Sequence, residues 1–597
     1  GEVESAMSED GTGGVVYTKR VDGNSQVFAA PFIDGKWRAP LRVDAGQRFD
    51  SSWPRIAAGD GGRLLVTWVE DFGVATDRIY SATLDPGAGG FRDPVPVDFD
   101  VGNATSTYPD LAMARGGQAY LVYNVVTDTS PSNPSGYVGL DVRVARYSNR
   151  LWSSVGSRID RNSAIPMRLP AEAIAPQIGI DIQGQAVVAW LEPDDEFVDR
   201  VWARRVFGSQ TGIPLQVSPA EWEGRPLRGG VNAFDLDVAG FGSASVAFRQ
   251  PPGQASALTA TRMMVSGMPD VFTEGADEFG EVLLADGGER GDLGRPSAAV
   301  DPLGLFTAAF GSGNTTLLTK GDEFAVYGTE RIDQGASGVA GEVEVDVAES
   351  GAAVAAWREL RRDSGVLAVQ ERRADGVYES NVLSAPGGGS LGPPALAGSG
   401  LGDAVVGFSQ GTGNARKIAA TVVDAPPDPF LVLVPTGWQN KRKIPIAWDP
   451  SINGIGDVTY SVSVDDEPVK DGIVGHKTKL GPNQITNGRH RIQIFAVDEL
   501  GQETGSLTGR LSVDRRPPVV AVKGGRTTRV EVSDGGSGLK GGDVSYGDGS
   551  RERLRSKSGK GARDRHRFDR PGRYTVRVSA TDKAGNVALE RVKVKVR

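Results

Sequence analysis

Cysteine is missing from all 597 residues, so no disulfide framework, thiolate metal site or cysteine nucleophile can be built. Histidine is nearly missing: His476, His490 and His566 all lie beyond residue 425, which denies the first 425 residues a Ser-His-Asp triad or a histidine metal centre. Only carboxylate, tyrosine or lysine chemistry remains there. Long apolar runs are also absent. Runs such as Phe430 to Pro435 fall far short of the ~20 residues of a membrane-spanning helix, so no membrane span is expected. No long stretch carries the 3.6-residue apolar period, and helix should be minor. The chain opens at Gly1 without a basic-then-apolar leader, as expected of a mature exported chain whose signal peptide has been removed.

What is abundant is turn chemistry. The 81 glycines and 35 prolines suit an all-β chain, and the length predicts several domains. One phrase organises most of it: a glycine turn, a short run of small and β-branched residues, and a closing aromatic, as in Gly184 to Trp190. It recurs at Tyr17, Trp68, Tyr123, Phe248, Phe310, Trp357 and Phe408, with closing aromatics 47 to 67 residues apart. A proline-opened strand usually precedes it, as at Pro54 and Pro109, and an alternating strand such as 78–83 follows. A fourth segment often carries an aromatic after a glycine turn, as in Gly35-Lys36-Trp37. Four antiparallel strands at this period describe a propeller blade. Eight units are expected over 1–425, beginning near residues 2, 50, 105, 172, 230, 294, 340 and 391. Irregular fifth and sixth units leave a seven-bladed alternative. The eighth has no fourth strand of its own, so it is either three-stranded or completed by another chain.

These repeats resemble the sialidase-like, BNR-type propellers of secreted bacterial proteins. The resemblance implies the fold and an extracellular or cell-surface location. It does not extend to activity, because the Asp-box turns and the Arg-Ile-Pro start of catalytic sialidases are missing; Ser8-Glu9-Asp10-Gly11 comes nearest and no tryptophan follows. A non-catalytic protein is expected.

Two residues past the signature aromatics stand Glu70, Glu192 and Glu359. A glycosidase needs two carboxyls roughly 5 to 9.5 Å apart. These three come from separate units, so solvated charges on the propeller rim are the favoured reading over a catalytic or binding set. Glu192-Pro193-Asp194-Asp195-Glu196 offers carboxylate oxygens for calcium, with Asp194, Asp195 and Glu196 as metal candidates. It lacks glycine-punctuated ligand spacing, and a solvated hairpin tip is the simpler account.

Past a proline-rich linker, residues 426–516 show strand candidates at 430–434, 443–448, 459–464, 490–497 and 506–513 with an inward Trp448, and resemble bacterial Ig-like or fibronectin-like sandwiches. In 517–597, Ser545-Tyr546-Gly547-Asp548-Gly549, Pro571-Gly572-Arg573-Tyr574 and Asp582-Lys583-Ala584-Gly585-Asn586 resemble a PKD domain, with Val-Ser-Tyr standing where that family has Trp-Asp-Phe. Ala496-Val497-Asp498 echoes Ala580-Thr581-Asp582 at an offset of 84, and calcium at Asp498 and Asp582 is the alternative to plain hairpin turns.

Charge is divided unevenly. Residues 1–427 hold 35 Lys+Arg and 55 Asp+Glu (35 − 55 = −20), 428–516 hold 11 of each, and 517–597 hold 20 against 9 (20 − 9 = +11). The basic excess is concentrated between Arg551 and Arg570, where Arg551, Arg553, Arg555, Lys557, Lys560, Arg563 and Arg565 form a candidate binding loop. Only Phe568 interrupts it, so the stacking platform of a nucleic-acid binder is lacking and no nucleic-acid partner is expected. The expected role is a structural or adhesion protein that self-associates head to tail into an oligomer or polymer. The alternatives are an adhesin that binds a glycan or anionic cell-wall polymer, and a glycoside hydrolase.

Overall fold

The computed structural model describes residues 3–73, 76–102, 104–162, 164–169, 171–254, 256–273, 278–289, 292–333, 342–361, 364–372, 378–382, 390–413, 416–451 and 455–597. The chain divides into two compact units, Gly1–Ala425 and Pro426–Arg597. Apart from one 3-10 turn at Glu172–Ile174, every regular element described is a strand.

In the first unit, eight antiparallel sheets follow in chain order, each opened by a strand that pairs with the strand carrying the glycine-to-aromatic phrase. The opening strands are Val3–Met7, Asp50–Gly59, Thr105–Met113, Gln177–Ile180, Ala233–Ala239, Ser297–Val300, Val343–Val347 and Leu391–Gly398. Each lies against the opening strand of the next sheet, and the last lies against the first. That closed ring makes the unit a β-propeller with the opening strands around its axis. The phrase strands are buried on both faces because a sheet packs on either side. Trp68, Trp190 and Trp357 lie fully buried there, between small residues such as Ala189 and Ala356 that let neighbouring sheets approach. Among the described residues the eighth sheet has three strands, and Lys417–Val423 forms its outer edge.

A feature absent from the sequence reading repeats at the outer ends of the sheets. An apolar residue followed by Asp or Ser closes six of them: Val43-Asp44, Val97-Asp98, Ile159-Asp160, Val217-Ser218, Ala285-Asp286 and Ile332-Asp333. The apolar residue's N–H donates back to the third strand, as from Val43 to the Val27 carbonyl. The polar side chain accepts a third-strand N–H, as Asp44 does from Val27 at 2.9 Å and Asp160 from Val142 at 3.0 Å. Edge donors that would otherwise be buried without partners are thereby satisfied.

The second unit contains two pairs of facing sheets. In 428–516 a three-stranded sheet faces a six-stranded one across Ile446, Trp448, Tyr460, Val462 and Ile494. The expected opening strand 430–434 shortens to Val432–Leu433, because Phe430 turns inward and packs edge-on against Tyr460. In 517–597 a sheet of Val519–Lys523, Thr527–Ser533 and Gly561–Arg567 faces one of Arg551–Leu554, Leu539–Ser545, Gly572–Asp582 and Val587–Val596. Tyr546, Phe568, Val576 and Val578 lie in the core between them.

Candidate functional site

The opening strands do not ladder with one another around the axis, so their backbone groups need other partners. Side chains of the adjacent sheet provide them. Asp110 accepts the Ile178 N–H at 2.8 Å and Gln177 accepts the Leu236 N–H at 2.6 Å. Asp235 and Asp237 accept the N–H groups of Ala298 and Val300 at 2.7 and 2.8 Å. Ser297 accepts the Val345 N–H at 3.0 Å and Asp346 the Gly398 N–H at 2.7 Å. The ring closes where the Ser5 hydroxyl donates to the Ala395 carbonyl at 2.7 Å, and the Arg55–Glu4 ion pair at 3.0 Å joins the second sheet to the first.

Around the axis opens a cavity of about 540 Å³. Its wall includes the carboxyls of Glu4, Glu172, Asp235, Glu342 and Glu344, the guanidiniums of Arg295 and Arg416, and the hydroxyls of Thr18, Ser25, Ser51, Ser52 and Ser409. Among the described residues no aromatic ring lines it. The deep carboxyls line the cavity yet are otherwise surrounded by protein. Burial pushes Asp235 up to about 7 against the Ala298 N–H that favours its ionised form, and raises Glu344 well above the usual range, helped by the charges of Asp235 and Glu4. Asp237 is also pushed up to about 7, by burial and then by Asp346. Burial opposes the charge on Arg295, but Glu172 at 3.0 Å more than offsets it and the guanidinium's pKa rises. The hub therefore brings two carboxyls whose pKa burial raises, Asp235 and Glu344, into one wall with guanidiniums and hydroxyls.

Glu70, Glu192 and Glu359 are not rim charges and do not enter this cavity. Each is buried and accepts the indole N–H of the tryptophan two residues before it: Trp68 at 3.0 Å, Trp190 at 2.9 Å and Trp357 at 3.2 Å. Adjacent residues of a strand point to opposite faces, so positions two apart share one. Glu70 also accepts the Ser51 hydroxyl and the Phe49 N–H, while Glu192 accepts the N–H groups of Arg161 and Asn162 at 2.9 and 3.0 Å. These carboxylates pin the segment that enters a sheet onto that sheet's phrase strand. The spacing Trp-x-Glu was visible in the sequence, but the indole donor was not read as the glutamate's partner.

The hairpin tip separates the three acids proposed for calcium. Asp194 accepts the N–H groups of Glu196 and Val198 and pairs with buried Arg200 at 2.8 Å, whereas Asp195 and Glu196 point into solvent. Among the described residues, the acids that could hold a cation are instead Asp514, Asp534 and Asp582, with carboxylate oxygens within 4.8 Å of one another and all three buried. Backbone donors already hold them: Ser537 and Arg516 to Asp514, Gly538 to Asp534, Asn586 to Asp582. Asp498, the echo of Asp582, accepts the N–H groups of Gly501 and Gln502 in its own hairpin. His490 is tied to Asp465 at 2.7 Å, and His566 to Asp548 at 2.6 Å with its ring stacked on Tyr546.

The basic run is not one loop. Arg551 and Arg553 lie on a strand of the four-stranded sheet, Arg563 and Arg565 on a strand of the three-stranded sheet, and Arg555, Lys557 and Lys560 on the connection between them. Alternation with inward Leu554 and Ala562 turns the arginines outward on opposite sides of the sandwich. The strictly alternating 591–597, Arg-Val-Lys-Val-Lys-Val-Arg, adds a further basic strand that was legible in the sequence and had not been singled out.

No family profile and no curated protein matches the sequence. Solved structures do resemble it in arrangement. The polysaccharide lyase Uly1 aligns over 68% of this chain and 93% of its own at 10% identity, with a TM-score of 0.38. A Dyadobacter fermentans protein of unknown function aligns over 64% and 96% at 10% identity, with a TM-score of 0.36. The NanB sialidase of Streptococcus pneumoniae aligns over 69% and 81% at 11% identity, with a TM-score of 0.34. Among the described residues no helix is long and apolar enough to cross a membrane.

Proposed function

We propose that the chain is a non-catalytic extracellular or cell-surface adhesion protein: an eight-bladed propeller, followed by Ig-like and PKD-like modules, that binds a hydroxyl-rich ligand such as a glycan in its axial cavity. The observation that carries this is the cavity wall. Hydroxyls, carboxyls whose pKa burial raises, and guanidiniums give donors and acceptors in one space of about 540 Å³, the mixture that the alternating donor and acceptor character of sugar hydroxyls requires. The acids of the hub serve as acceptors for neighbouring backbone and arginine groups, as Asp235 does for Ala298, Glu4 for Arg55 and Glu342 for Arg358. A group held in this way is fixed for recognition and poorly placed to shuttle a proton.

A glycan array probed with the full chain, followed by calorimetry on the best ligand, tests the reading. Saturable binding that Arg295→Ala weakens at least tenfold, with the glycan recovered intact, is the expected result. No retained glycan would defeat it. Recovery of cleaved glycan would favour the hydrolase reading, which has one observation behind it: Asp235 and Glu344, with raised pKa values, share the cavity with Glu4 and Glu172, as a general acid and its ionised counterpart do.

A further inference from the structure

The outer face of the four-stranded sheet in 517–597 concentrates positive charge. Register places Arg577 opposite Arg591, Arg573 opposite Lys595 and Thr575 opposite Lys593, all pointing away from the core. Arg551 and Arg553, opposite Ser545 and Asp543, continue the face onto the edge strand. Asp543 is the one acid among these outward positions. Among the described residues no ion pair forms at any of the seven cations. Like charges directly opposite one another cost stability, and here two such pairs flank the Thr575–Lys593 pair. A shallow groove of about 690 Å³ runs across Arg551, Arg553, Arg577 and Arg591, edged by Glu552 and Glu590, with Leu589 at 76% exposure in its wall.

We propose that this face is the docking surface for the acidic propeller of a second copy of the chain, which offers it the hairpin tip Asp195-Glu196-Phe197. Charge complementarity commits the choice of occupant: one chain carries −20 on 1–427 and +11 on 517–597. The tip matches the groove in kind. Asp195 is 92% exposed and Phe197 55% exposed, and Phe197 has a positive φ of 60° that holds the turn. The tip's own pairs, Asp195 with Arg161 at 4.0 Å and Glu196 with Arg228 at 3.6 Å, are long and solvated and compete weakly. Guanidinium forks donate two N–H groups at a time to a carboxylate, and Leu589 offers the phenyl ring an apolar contact. The same contact repeated from copy to copy joins unlike surfaces, so it yields rings or filaments.

Light scattering and sedimentation of the full chain across a salt series test this. Association at low ionic strength that declines with salt is expected. Arg577→Glu alone and Glu196→Arg alone should each weaken it at least tenfold while far-UV circular dichroism stays as in the parent and the unfolding midpoint does not fall, and the two together should restore it. A chain that stays monomeric at every salt concentration overturns the proposal, as does a double variant no better than either single one. Retention on immobilised polyglutamate without self-association also overturns it, in favour of a foreign polyanion. All of these readouts are independent of glycan binding.

Discussion

The hub of the propeller and the outer face of the last sandwich are both crowded with charge of one sign, and they treat it in opposite ways. Carboxyls in the hub are sunk among protein atoms and hold groups of the fold, a backbone N–H at Asp110, Asp235 and Asp346 and the Ser297 hydroxyl at Glu344, and burial raises their pKa values. Among the described residues, the arginines and lysines of that outer face lie in water, face one another across strands and form no ion pair. Charge that is held belongs to the fold; charge left unheld is available to something outside it. The buried Trp–Glu clips are the extreme of the first kind, and substitutions at the two sites should separate accordingly.

Glu192→Ala should give the largest effect. It strands the indole N–H of Trp190 and the N–H groups of Arg161 and Asn162 in a buried place, and it deprives Arg161 of its partner at 3.4 Å. Removing one side of a buried charged network costs about 3–5 kcal/mol. Chemical denaturation followed by tryptophan fluorescence should show the propeller transition at clearly lower denaturant. Glu192→Gln, which keeps an acceptor, should recover part of the loss; equal losses in the two variants would refute the hydrogen-bonding account.

Next comes the pH dependence of the hub. Folding raises Asp235 from 3.8 to about 7, so between those values the folded propeller binds more protons than the unfolded chain. Stability from this group is therefore full at the acid end and falls as pH rises through the window. Asn at 235 imitates the protonated acid and can still accept the Ala298 N–H. Asp235→Asn should raise the propeller's midpoint at and above neutrality, by on the order of 1–3 kcal/mol once the cavity's water is allowed for, and leave it unchanged near the low end. Asp548, in the last sandwich, behaves oppositely. Burial alone would raise it, but the Ser550 N–H and His566 more than compensate and hold it below its usual range, so its contribution is lost as pH falls. Scans of the two units with pH should slope in opposite directions at these sites, and parallel slopes would break the contrast.

The sequence carried the fold further than it carried the site. Aromatic-capped phrases with glycine turns are local signals, and the eight of them fall on the second strands of successive sheets. The fate of Glu70, Glu192 and Glu359 was not local. An acid near a strand end is exposed in most folds, and only the incoming segments that carry Phe49, Ser51, Arg161 and Asn162 make burial tolerable here. The hub was hidden for a related reason: Glu4, Asp235, Arg295 and Glu344 come from four different blades, 49 to 340 residues apart in sequence (344 − 295 = 49; 344 − 4 = 340), and meet only when the ring closes. The basic face was half visible. Composition marked the run from Arg551 to Arg570, but a hairpin-like connection divides that run between two sheets, and the alternation at 591–597 supplies the missing strand.

The smallest effect should also be the only favourable one. Arg577→Ser removes one member of the directly opposed Arg577–Arg591 pair on a face where no carboxylate neutralises either residue. Relief of a like-charge cross-strand pair is worth about 0.2–1 kcal/mol, and screening should shrink it as salt is added. The unfolding midpoint of the second unit should therefore rise slightly at low ionic strength and converge with the parent's at high. The direction matters more than the size. A rise would show that the arginine is kept at a cost to folding, which selection tolerates where a side chain works on something outside its own fold; a fall would mean that Arg577 supports the sandwich and that its outward charge is held after all.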